Sequence, residues 1–105
     1  MIKVEFFGTK ELVTGFHISG HSVYAQEGED IICAFVSSAS YMVANTITDV
    51  IKVQPELSFS DGFMCLKLDD SDALRCADIL QGMVLHLSEF AKDYKKYITV
   101  TISEV

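Results

Sequence analysis

Two groups able to do chemistry together stand close in the stretch Gly20-His21-Ser22 through Gly28-Glu29-Asp30-Ile31-Ile32-Cys33. A thiol becomes a nucleophile when it ionises, and an imidazole within hydrogen-bond reach can hold that ion and later give a proton to a leaving group. Cys33 and His21 are the candidates for those roles. Asp30 is placed to cap a helix that starts after it and could also orient His21. Ser37, one helical turn beyond Cys33, either touches a substrate or permits close packing. Gly20 and Gly28 bound the intervening segment and can take backbone angles that other residues resist.

With Asp30 as N-cap, Cys33 would be the third helical residue, its sulfur among backbone N–H groups that the helix leaves unpaired. A helix end favours a nearby anion by about 0.3 to 1 kcal/mol, and one pKa unit is about 1.4 kcal/mol, so a helix end moves an ordinary thiol by less than one unit. Glu29 and Asp30 oppose an anion there by like charge. An imidazolium is therefore the missing stabiliser, and the segment from Ser22 to Glu29 must fold back to supply it. That segment is polar and glycine-bounded, which suits a lid that closes over a bound peptide. Composition and spacing alone leave Cys33 open to two readings, a packing thiol or a nucleophile.

The other reactive side chains carry less. Cys65 and Cys76 read as packing thiols, His17 as a surface imidazole, His86 as a helix-surface residue, and Lys92, Lys95 and Lys96 as a solvated helix end. Three cysteines, an odd number without a CxxC pair, argue against a disulfide framework and for a reducing compartment. No zinc pattern is visible, and no metal or cofactor is expected.

The elements that must position these groups can be read from periodicity. The 105 residues suit one domain, 1–105, with no linker or repeat and with half the residues hydrophobic. Eight Lys and Arg against fifteen Asp and Glu give a net charge of -7, a poor match for nucleic acid. No apolar run approaches the roughly 18 to 20 residues of a membrane span, and the N-terminus lacks a signal-peptide layout. A cytoplasmic protein is expected.

Ile2, Val4 and Phe6 alternate with Lys3, Glu5 and Phe7, a strand with one buried face. After a turn at Gly8-Thr9-Lys10, a second strand over 12–19 would put Thr14, Phe16 and Ile18 on one face and Val13, His17 and Ser19 on the other. Residues from Ile31 to about Lys52 carry helical spacing at Ile32, Phe35, Val36, Ala39, Val43, Ile47 and Val50. A second stripe on that helix, Cys33, Ser37, Ser40 and Ala44, is small enough to let something approach closely. A hairpin around Asp61-Gly62 sets Leu57 opposite Leu66 and Phe59 opposite Met64. Asp69 to Asp72 cap a second helix with a stripe of Ala73, Ala77, Leu80, Val84, Leu87 and Ala91, in which Gly82 would mark a close contact. A last strand holds Ile98, Val100 and Ile102. The fold class is α+β with the order ββαββαβ, a mixed or antiparallel sheet covered by two helices.

At these residues the chain resembles a known family. Gly20-His21-Ser22-Val23-Tyr24-Ala25, followed by Gly28-Glu29-Asp30-Ile31-Ile32-Cys33-Ala34 and Val36-Ser37-Ser38, is similar to the ribosomal-processing cysteine protease family, Prp. Ser22 stands where that family usually has alanine and Phe35 where a small residue is common; neither change removes a reactive group. The resemblance implies Cys33 as nucleophile and His21 as its acid/base partner. It also implies a homodimer and, as substrate, the precursor of ribosomal protein twenty-seven of the bacterial large subunit, whose N-terminal extension is cut after an aromatic-rich motif. The alternative is a non-catalytic ribosome-assembly or protein-binding module on the same fold, since a fold alone does not establish activity. A thiol-transfer role is a third option, but no resolving cysteine lies nearby.

Overall fold

The computed structural model describes the chain except residues 21–28, 61 and 105, and describes the backbone alone at residues 29 and 30. In chain order the elements are β1 (Ile2–Gly8), β2 (Val13–Ser19), α1 (Glu29–Asn45) with a π-helical continuation (Thr46–Ile51), β3 (Glu56–Ser60), β4 (Phe63–Lys67), α2 (Asp70–Arg75), α3 (Ala77–Asp93) and β5 (Ile98–Ser103). The strands form one sheet in the order β3-β4-β2-β1-β5. β1 and β5 run parallel and the other pairs antiparallel, so the sheet is mixed. The α+β class and the element order are as expected, apart from the division of the second helix.

Alternation in β1 produces the buried face directly, with Ile2, Val4 and Phe6 at 3 % exposure or less. Phe16 and Ile18 of β2, Met64 and Leu66 of β4 and Ile98 of β5 extend that face into one core with α1 and α3. The Phe6 and Phe16 rings meet edge-on, 6.3 Å between centroids, a favoured aromatic arrangement. The hairpin register is the one expected, Leu57 opposite Leu66 and Phe59 opposite Met64.

Val13 departs from the expected faces. It is buried with the core rather than sharing a side with His17 and Ser19. The cause is a bulge: Phe7 and Gly8 pair with Gly15 and Val13, leaving Thr14 as an extra residue that resets the alternation.

α1 and its continuation include a 21-residue stretch, Ile31–Ile51, long and apolar enough to cross a membrane by length and composition. This corrects the expectation that no run reaches that length: Asp49 is the single charged residue in it, and its serines and threonines weigh little. Ile32, Val36, Val43 and Ile47 are buried in the core, the single-sided stripe of a helix packed on a sheet. Lys52, in the left-handed region at φ 66°, ends the helix. Arg75 Nη2 donates to the Ile51 carbonyl at 2.9 Å and so supports the same end.

The second helix is two pieces. Asp69 caps α2 as expected, accepting from the Asp72 N–H at 2.8 Å. That bond first, and the Ser71 hydroxyl second, hold the Asp69 carboxyl below its ordinary pKa. Cys76 then breaks the helix at φ -103°, ψ 9°, and the buried stripe runs through Ala73, Cys76, Leu80, Met83 and Leu87. Cys76 and Met83 therefore take inner positions assigned from periodicity to Ala77 and Val84, which are half-buried. Gly82 is also corrected: among the described residues a Cβ there would meet no atom within 4 Å beyond its own turn of helix, so no close contact with them explains it.

Candidate active site

α1 begins at Glu29, so Asp30 is the second helical residue and not the N-cap, and Cys33 is the fifth rather than the third. The amide of Cys33 thus falls where the Glu29 carbonyl can satisfy it; the unpaired N–H groups belong to the residues before it. Helical side chains lean toward the N-terminus, which still carries the Cys33 sulfur back over the first turn. Cys33 is half-buried and packs against the core edge.

The small stripe behaves in two halves. Ser40 and Ala44 are buried, at 1 % and 3 % exposure, whereas Cys33 and Ser37 are half-buried. The Ser40 hydroxyl donates to the Val36 carbonyl at 2.6 Å, so it is satisfied within the helix. Cys33 and Ser37 form the reachable half. The structure brings them together on one flank, one turn apart.

Gly20 is positioned by its backbone. Its φ is +98°, and a Cβ there would lie 2.1 Å from the Met1 carbonyl oxygen. Its N–H donates to the Gly62 carbonyl at 3.1 Å. Only glycine fits between the start of β1 and the hairpin turn, so the chain leaves β2 at a fixed point immediately before His21. His21 and the expected lid up to residue 28 lie outside the described residues, while Glu29, the lid's expected last residue, is the first residue of α1; the Asp30 side chain is likewise outside them.

The other two histidines face elsewhere. His17 alternates away from Phe16 and Ile18, which puts it on the sheet face opposite the helices. Its ring packs edge-on to Phe63 at 4.7 Å, and its Nε2 is buried with no hydrogen-bond partner among the described residues. His86 of α3 is exposed and stacks on Phe35 at 4.9 Å. At 100° per residue, Phe35 lies about 200° around α1 from Cys33, on the other flank.

The thiols divide in the same way. Cys65 pairs across strands with His17 and Ser58, on the sheet face away from α1. Cys76 is fully buried; burial pushes its thiol pKa up and Asp72 adds to that, with Arg75 opposing. A thiol so placed stays protonated at neutral pH, as its reading as a packing residue requires.

Periodicity did not reveal one feature of this flank. Tyr41, one turn beyond Ser37, stacks on Phe59 of β3 with centroids 6.0 Å apart and planes at 22°. The available signal was the spacing Cys33, Ser37, Tyr41, three residues four apart on one helix.

Comparison with known proteins shows the family. A family model described as cysteine protease Prp matches residues 1–99. The ribosomal processing cysteine protease Prp of Bacillus subtilis (strain 168) is 26 % identical over 95 residues, covering 85 % of this chain and 85 % of that one. A crystal structure of the essential ribosomal processing protease Prp from S. aureus with a substrate peptide superposes with a TM-score of 0.87 at 24 % identity, covering 98 % of this chain and 100 % of that one. The same S. aureus protease with a covalently linked product peptide gives a TM-score of 0.83 at 25 % identity over the same shares. The family model spans nearly the whole chain, and the chain belongs to the cysteine protease Prp family.

Proposed function

We propose that this cysteine protease removes the N-terminal extension of ribosomal protein twenty-seven of the bacterial large subunit, with Cys33 as nucleophile and His21 as acid and base. The single observation that carries the assignment of residues is the division of the reactive groups. Cys65 and Cys76 are turned away or buried, and His17 and His86 occupy the far sheet face and the far flank of α1. Cys33 alone is half-buried in the first turns of α1 on an accessible flank. His21 is then the remaining imidazole, attached directly to the strand end that Gly20 fixes. The names of the B. subtilis and S. aureus relatives support ribosomal processing as the setting.

In this reading the Cys33 sulfur attacks the scissile carbonyl carbon, a C–S bond forms, and the carbonyl oxygen becomes an oxyanion. Unpaired N–H groups at the start of α1 are suited to hold that charge. Collapse breaks the C–N bond and the leaving amine takes a proton from His21. Water then attacks the thioester while His21 accepts its proton, the acid is released, and the thiol returns. Ser37 contacts the peptide beside Cys33, and Asp30 orients the segment carrying His21. The enzyme acts in the cytoplasm as a homodimer, without metal or cofactor. An acidic chain of net charge -7 favours encounter with a basic ribosomal precursor at low salt.

The test is incubation with the full-length ribosomal protein and determination of the new N-terminus by mass. One cut after the aromatic-rich motif is expected from the parent protein and none from Cys33→Ala, with both proteins folded by circular dichroism. A precursor that is bound but left intact by the parent would make the chain a binding module instead.

A further inference from the structure

Tyr41 and Phe59 are large apolar side chains left 51 % and 53 % exposed, and they face each other across α1 and β3. Isolated exposed apolar residues are ordinary, but two rings stacked from different elements make a small built surface. That surface continues the Cys33–Ser37 flank, because steps of four residues advance along one side of the helix. Eight residues at 1.5 Å each place Tyr41 about 12 Å along α1 from Cys33. Among the described residues β3 is also an edge strand, paired only with β4. Edge strands offer free backbone groups to an extended chain, so a peptide lying along this margin has both a backbone partner and an apolar surface.

We propose that Tyr41 and Phe59 form an apolar subsite that holds a peptide side chain about three to four residues from the bond Cys33 cuts, since an extended chain advances about 3.3 Å per residue. This rests on the reading of Cys33 as nucleophile. The occupant is the substrate peptide itself. The subsite contributes to binding along the chain and leaves the bond-breaking groups untouched, so its loss appears in KM. Ser37 lies between the two sites as a small residue over which the backbone can pass.

The experiment uses peptides of the ribosomal protein extension in which each residue within five positions of the cut is replaced in turn by Asp. The parent protein is expected to lose about ten-fold in kcat/KM at the third or fourth position, and the Tyr41→Ser, Phe59→Ser double variant to lose that discrimination through a raised KM. Fluorescence anisotropy of the same peptides, labelled, on the Cys33→Ala protein reads the subsite without cleavage and is expected to give the same ratio, levelled when the two serines are added. Cleavage by the parent with the discrimination intact in the double variant overturns the subsite while the protease reading stands. Absence of cleavage with the binding ratio preserved removes the protease reading, and with it the subsite as a part of a cleavage site, leaving Tyr41 and Phe59 as a peptide-binding surface. Binding indifferent to Asp at every position overturns the subsite whatever the activity.

Discussion

The two flanks of α1 are built from opposite materials. On one, Phe35 lies between His86 and Phe90 of α3 at 4.9 and 3.8 Å, and Phe90 continues to Tyr94 at 4.6 Å. These aromatic contacts fasten α1 to α3. On the other, Cys33 and Ser37 are small and half-buried, and one ring pair, Tyr41 with Phe59, stands open. The helix is thus fastened from one side only. On the proposed reading of Cys33 as nucleophile, the other side meets the substrate and has to stay unfilled, because any large residue there would occupy the space the peptide needs.

That contrast breaks most visibly at Phe35. Phe35→Ala removes the middle ring of the stack and is expected to cost about 2 kcal/mol, lowering the thermal midpoint by about 10 °C. Tyr41→Ala, on the open flank, is expected to move stability by less than about 0.5 kcal/mol. Equal losses in a thermal melt would erase the distinction between a packed and an open flank.

A second, smaller effect concerns the outer side of α3. Gly82 meets nothing, so Gly82→Ala should stabilise the protein by about 1 kcal/mol through backbone entropy and helix propensity. A destabilisation measured by urea unfolding would mean that the outer surface of α3 is occupied in solution.

The smallest effect separates the buried thiol from the reachable one. The Cys76 thiol pKa is raised above its ordinary value of 9.0, burial being the first cause. As pH rises past about 9 the unfolded chain ionises at this residue before the folded chain does, so stability declines there. Cys76→Ala should flatten that part of the stability curve whatever it does to the absolute stability; an unchanged slope would show that the decline has another source.

Much of the architecture was written locally. Alternation in Ile2 to Phe7, the register of Leu57 and Phe59 against Leu66 and Met64, and the Asp69 cap all depend on residues within a few positions of one another. Periodicity and turn chemistry are sufficient for such features. The candidate chemistry was equally local, since Gly20, His21, Asp30 and Cys33 stand in one short stretch. Other positions were not legible for identifiable reasons. The face of Val13 depends on a bulge against β1, and one extra residue inverts every assignment before it. Asp30 has the side chain of a cap, but the helix begins at Glu29, two residues before a cap at Asp30 would start it. Cys76 breaks a continuous periodic pattern because the buried stripe shifts there by one residue, a matter of how α2 and α3 both fit the same sheet.

By itself, then, the amino-acid order determined which elements form, which thiol lies near a helix start, and which glycine the chain bends on. Only the tertiary structure decided that β5 lies parallel beside β1, that His17 and His86 face away from Cys33, and that Tyr41 meets Phe59. The physical reason is range. Periodicity reports the environment of a residue relative to its own neighbours in the chain, whereas the side of a sheet or helix that two distant residues share is fixed by strand order and packing.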